Sequence, residues 1–301
     1  MVLNFVDSHP VWLILFDKRN SMLEKMSHWL GKLGQTLASI VKIMLLSRRA
    51  TVKTLPSGCE IVVLGNGPSL NDTIANHSDF LDERMKMAVN FAANTPVFFQ
   101  LRPEYYVLAD PHFFSLGVNG NVDALWKVFR ERVDWKMTLF VPVKFAALAE
   151  RMLGSGSRVA VERYNTTPVE GFEGFCHTVY RSGLGMPRPR NVLIPSIMLA
   201  LAAGFKTVYV AGADHSWMKT LSVDNENRVM SVQPHFYKDD NTETQRVNTE
   251  YMRYPLHQIV YSFYVAFKSY HVIRRYADRI GASVVNVTPG SFIDAFPRKM
   301  L

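Results

Sequence analysis

From position 60 onward, short runs of β-branched and other apolar residues recur along the chain, each ending abruptly at a polar residue or a turn. They cover 60–64, 85–89, 105–109, 138–143, 207–212 and 283–287. Positions that are apolar in succession, rather than alternately, are what a strand buried on both faces of a parallel sheet needs. Between these runs, apolar residues spaced by three and four predict helices around 72–82, 120–131, 144–153, 194–203 and 255–280. Gly204 and Gly281 supply stop signals for the last two.

Strands alternating with helices predict an α/β chain with a single Rossmann-like, mostly parallel sheet covered by helices on both faces. The interval 216–250 breaks the rhythm. It is rich in Asp, Asn and Glu, and it encloses Gln233-Pro234-His235-Phe236-Tyr237-Lys238. It reads as a lid inserted over the strand ends. No internal repeat or low-complexity run occurs.

Residues 1–55 have a different character. From Met22 onward their apolar residues form a helical stripe, punctuated by Lys25, Lys32 and Lys42. Eight cations stand against three carboxylates there, a net +5 out of +8 for the whole chain. The segment reads as a basic amphipathic helix ahead of a catalytic domain at 56–301. It would dock on the inner face of the cytoplasmic membrane, on the domain's own core, or on a second subunit of a homo-oligomer. No apolar run reaches the ~18 residues of a spanning helix. The apolar patch at 11–16 is too short, and wrongly flanked, for a signal peptide.

Composition narrows the class. With 301 residues, 48% hydrophobic and 20% charged, the chain is long and apolar enough to fold around a sizeable core. Its two cysteines, Cys59 and Cys176, exclude a disulfide scaffold and fit a reducing cytoplasm. No zinc spacing appears. The basic excess lies in an apolar-rich helix without an aromatic–basic sheet motif, so nucleic acid is not the expected partner.

The chemistry concentrates at strand tips, because ligands of open parallel sheets bind beyond the carboxyl ends of the strands. The first strand runs into Gly65-Asn66-Gly67-Pro68-Ser69. Two glycines allow close backbone approach, Pro68 suits a first helical position, and free amide protons around 65–69 would hold an anionic phosphate. The turn is neither a Walker loop, since no Lys follows, nor the dinucleotide fingerprint, since Leu70 replaces the third glycine. Other tips carry Asn90, Asp110, Gly212-Ala213-Asp214-His215 and Thr288. Asp110-Pro111-His112 has the spacing of a metal-binding Asp-x-His, but an Asp opening a turn explains it more simply.

The succession Val-Val-Leu-Gly-Asn-Gly-Pro-Ser-Leu, Asn90-Phe91, Asp110-Pro111, residues 202–214 and Thr288-Pro289-x-Ser291 resembles the bacterial sialyltransferases of glycosyltransferase family 42. It is also similar to the domain-of-unknown-function 115 group, with its motility-associated flagellin glycosyltransferases and MptE-like pyrophosphokinases. The resemblance covers roughly 59–298. It implies a GT-A-like sialyltransferase fold with a lid, a CMP-sugar donor, no metal or other cofactor, and inversion at the anomeric carbon. It places Asn66 and Asn90 on donor-contacting asparagines and Asp110 where a third would stand. Arg190 and Asn191 fall near residues lining the site. Where the family has leaving-phosphate tyrosines, this chain has His215, Ser216, Trp217 and Lys219.

A base, phosphate-stabilising groups and exclusion of water complete the expectation. The family's lid histidine implies His235 as the base, with His257 second, while His215, a further candidate at a strand tip, would instead contact the donor phosphate. Lys219, Arg188 or Arg190, and Tyr237 would stabilise the leaving phosphate. Gly65, Gly67, Ser69, Gly212, Asp214, Thr288 and Ser291 complete the expected donor site. The expected reaction moves an acidic sugar, sialic acid or Kdo-like, to a cell-surface glycan or lipid-linked acceptor. The alternatives are a pyrophosphokinase using ATP and magnesium through Asp110 and Asp214, or a non-catalytic, membrane-docked nucleotide-binding protein.

Overall fold

The structure is a computed structural model that describes residues 11–50, 52, 58–115, 117, 119–231, 236, 249 and 251–301, with side chains of the first helix from Met22 on. Seven parallel strands form one sheet: β1 (Glu60–Leu64), β2 (Met85–Val89), β3 (Tyr105–Val107), β4 (Met137–Pro142), β5 (Val159–Tyr164), β6 (Thr207–Ala211) and, after the two-stranded hairpin β7 (Ser222–Val223) and β8 (Val229–Met230), β9 (Ser283–Asn286). Their order is β5-β4-β3-β2-β1-β6-β9. The chain winds outward from β1 to β5, then returns to the other side of β1. The topological switch point, where such sheets bind ligands, therefore lies between β1 and β6.

Side-chain alternation along β1 splits the core in two. Ile61 and Val63 face α7 (Glu173–Arg181), α8 (Leu193–Ala202) and α9 (Leu256–Arg279). Val62 and Leu64 face α2 (Leu70–Asn76), α3 (Ser78–Asp82), α4 (Pro96–Leu101), α5 (Gly120–Glu131) and α6 (Ala146–Leu153). The fold class expected from the pattern is the one observed, with most boundaries within two residues. The helix expected at 72–82 is instead two short ones, α2 and α3, broken at His77 (φ −136°, ψ 39°). β5 and α7 escaped the pattern because β5 is an edge strand with Glu162 and Arg163 in its run, and α7 is a short helix with polar residues between its buried ones.

The first helix, α1 (Val11–Leu46), lies against the body with its polar face inward. Ser39 Oγ donates to the Glu170 carbonyl at 2.8 Å, and Thr36 Oγ1 accepts from Phe172 N at 3.0 Å. Ser47 Oγ donates to the Leu184 carbonyl at 2.6 Å. Ile43 packs against the core beside them, the Trp29 ring lies 5.7 Å from that of Phe172, and Leu33 is half-buried. Among the described residues no helix is long and apolar enough to cross a membrane.

Candidate functional site

The tips of β1 and β6 cross so closely that side chains are excluded there. A Cβ on Gly65 would collide with the Gly212 carbonyl, and one on Gly67 with the Asp214 carboxylate. Gly212 sits at φ +64°, with the Gly65 carbonyl 2.6 Å from where its Cβ would be. Gly65 N donates to the Ala211 carbonyl and Gly67 N to the Gly212 carbonyl, each at 2.8 Å. Two of the amides expected around 65–69 to cradle a phosphate, those of Gly65 and Gly67, are thus committed to the junction. Pro68 has no N–H, and the helix starts only at Leu70 and runs seven residues. The glycines of this turn answer to a neighbouring strand, a reason invisible in local sequence.

What the junction leaves free is the side chain between the glycines. Both polar atoms of the Asn66 amide are buried without a hydrogen-bond partner. Asn66 lines a cavity of about 200 Å³ together with Gly67, Asn90, Arg190, Asn191, Gly212, Asp214 and His215. Buried, unpaired amides are rare and costly in folded proteins, so one lining a cavity marks a place for a polar ligand. Asn90, at the tip of β2, is held left-handed (φ 53°) while its carbonyl accepts from Tyr106 Oη at 2.6 Å. Asparagine tolerates that backbone better than most residues, and strain of this kind clusters at functional sites. Arg190 is exposed at the rim.

The far wall is a buried polar relay. His215 Nε2 lies 2.6 Å from Tyr270 Oη, and Tyr270 Oη lies 3.0 Å from Asn191 Oδ1. Asn191 Oδ1 also accepts from Leu193 N and Ile194 N, capping the start of α8. Burial pushes the His215 imidazole down to about 3 and the Tyr270 phenol up. His215 is therefore neutral at ordinary pH. It neither attracts a phosphate by charge nor readily takes a proton, and its position, packed on Trp217 at 4.6 Å, is that of a wall. Tyr270 was missed in the sequence because a tyrosine midway along a long apolar helix looks like core.

A second cavity, of about 540 Å³, adjoins the first and shares Asn90, Arg190, Asn191 and Val192 with it. It is lined by Asp110, His112, Lys144 and Arg188. Arg188 is already paired with Glu170 at 2.8 Å. Asp110 Oδ1 accepts from His112 N at 3.1 Å, which makes it a turn cap. His112 Nδ1 also lies 2.9 Å from that oxygen, but off the direction a hydrogen bond needs. Among the described residues, no group of three or more His, Cys, Asp or Glu is arranged to hold a metal ion.

Several expected residues stay away from these cavities. Ser69 Oγ donates to Asp214 Oδ2 at 2.7 Å, bracing the junction. Thr288 Oγ1 accepts from Ala213 N at 3.0 Å, and Ser291 Oγ donates to the Ala213 carbonyl at 2.6 Å. Lys219 lies over the Phe292 ring, 5.2 Å from its centre. His257 is exposed in the first turn of α9 and lines neither cavity. His235 and Tyr237 lie outside the described residues. Phe236, between them in sequence, is buried, donating its N–H to the Asn66 carbonyl at 2.9 Å and accepting from Asn71 Nδ2 at 2.8 Å.

No family model matches this sequence, and no curated protein is significantly similar to it. Among solved structures, the chain is similar to a MAf glycosyltransferase from Magnetospirillum magneticum AMB-1, with a TM-score of 0.48 and 14% identity. The likeness covers 90% of this chain and 38% of that one.

Proposed function

We propose that the chain is a glycosyltransferase that transfers an acidic sugar from a CMP-sugar to an acceptor hydroxyl with inversion. The observation that carries the reading is the cavity at the β1/β6 switch point, lined by Asn66, whose buried side-chain amide has no hydrogen-bond partner. The groups facing it suit a single phosphodiester: amide donors on Asn66 and Asn90, and one guanidinium, Arg190. A carbonyl and a carboxylate nearby are already committed, through Phe236 N and Ser69 Oγ.

In this scheme the acceptor oxygen attacks the anomeric carbon while the bond to the phosphate oxygen breaks. The electron pair leaves with CMP, whose phosphate gains one negative charge. Arg190 and the Asn66 and Asn90 amides meet that growing charge, the moment at which preorganised donors lower a barrier most. The acceptor's proton goes to a base. His215 is unsuited, because burial holds it near 3. The role falls to His235, which precedes the Phe236 anchored on Asn66.

Calorimetric titration with CMP, CDP, UDP and ATP, each with and without magnesium, tests the donor class. CMP should bind without magnesium and raise the melting temperature by mass action. A chain that binds only ATP with magnesium would be a pyrophosphokinase instead. Release of CMP from CMP-sialic acid or CMP-Kdo, abolished in His235→Ala with CMP affinity kept, tests the reaction itself.

A further inference from the structure

The face that α1 turns to solvent is the apolar one. Leu23, Met26, Leu30, Leu33, Leu37, Ile40 and Met44 recur at strictly alternating intervals of three and four, a sustained heptad seam. Leu30, Leu37 and Met44 are 53%, 56% and 67% exposed. The seam is about 30 Å long at helical rise. We propose that it pairs with α1 of a second copy of this chain.

Three observations favour that occupant. First, the spacing has the 3.5-residue period of paired helices, whereas a helix lying on a lipid surface needs only a broad apolar face. Second, Met22, Leu23, Met26, Leu30, Leu37, Ile40, Val41 and Met44, on or beside the seam, are 38–71% exposed. At roughly 100 Å² for a half-exposed residue of this size, they offer on the order of 800 Å² per helix, about what a stable interface needs per partner. Third, the cations do not border the seam as a lipid-binding helix would have them. Lys32 and Lys42 are half-buried on the side facing the body, Lys32 lining a cleft with Glu170 and Glu173. On the flank away from the body the positions are Ser27, Gly34 and Val41, all uncharged, and Ser27 and Gly34 are small enough for close helix approach.

The body forces this arrangement. Ser39 and Thr36 find hydrogen-bond partners on the body, as does Ser47 just past the helix end, so the seam on the other side of the helix turns outward. The pairing is independent of the reaction proposed above.

Sedimentation velocity on the full chain at micromolar concentration tests it. The expected species has twice the 34.3 kDa chain mass. Leu30→Glu with Leu37→Glu places charges in the seam and should weaken the pairing at least about 100-fold while leaving the circular dichroism spectrum unchanged. Leu30→Ala with Leu37→Ala, milder at exposed positions, should weaken it less and serves if the charged variant misfolds. A wild-type monomer would overturn the proposal, as would a dimer indifferent to both double substitutions. So would a monomer that floats with phosphatidylglycerol vesicles, which would make a lipid surface the occupant.

Discussion

Two strand tips at the same end of the sheet, those of β9 and β1, present similar side chains to opposite purposes. Beyond β9, Asn286, Thr288 and Ser291 are buried, and their polar atoms are committed to backbone: Asn286 Oδ1 to Thr288 N, Thr288 Oγ1 to Ala213 N, Ser291 Oγ to the Ala213 carbonyl. Beyond β1, Asn66 is equally hidden but has no partner. The first set stitches a loop onto β6, and the second waits on a cavity. A polar residue at a strand tip is thus scaffold or ligand group according to where its hydrogen bonds go, not according to its type.

The contrast can be attacked from its most crowded point. Gly212→Ala places a Cβ against the Gly65 carbonyl at a positive φ, and should cost about 2–5 kcal/mol in denaturant unfolding. A cost below about 1 kcal/mol would mean that the junction is loose and that its amides are open to a ligand after all.

His215 comes next. Unfolded histidine takes up a proton near pH 6.5, whereas the buried one does so only near 3. Between those values the unfolded chain binds the extra proton. Stability is therefore full above about pH 6.5 and falls toward pH 3 by about 1.4 kcal/mol per unit. From pH 7 to 4 the wild type should lose roughly 3 kcal/mol more than His215→Asn, whose side chain tolerates the left-handed backbone. Parallel curves would show the imidazole to be solvated.

Thr288→Val removes the acceptor of a buried amide, and should cost about 1–3 kcal/mol while leaving CMP affinity within about twofold. Asn66→Ala should behave oppositely. Stability should stay within about 0.5 kcal/mol, because no hydrogen bond is lost, while CMP affinity falls about tenfold or more. If the two variants exchange behaviour, the scaffold and the site have been assigned to the wrong strand tips.

The elements were legible wherever burial dominates. β1 and β6 are buried on both faces and announce themselves as apolar runs, β2 as a run broken only by the buried Lys86, and the helices around the sheet as periodic ones. Edge strand β5 was hidden because one side of its run meets solvent. The position of the cavity was legible too, since Asn66, Asn90 and Asp214, which line it, are strand-tip residues of a parallel sheet. Their division into free and committed was not, because Thr288 meets Ala213, and Tyr270 meets His215, across 75 and 55 positions of chain.

By itself, then, the sequence determined the α/β pattern, the strand tips that line the cavity and the heptad stripe of α1, because these depend on near neighbours and on periodicity. Only the tertiary structure decided that Gly65, Gly67 and Gly212 serve a strand crossing, that His215 is neutral, and that α1 turns its leucines outward. Each of these depends on a distant partner that takes up, or fails to take up, a hydrogen bond or a volume.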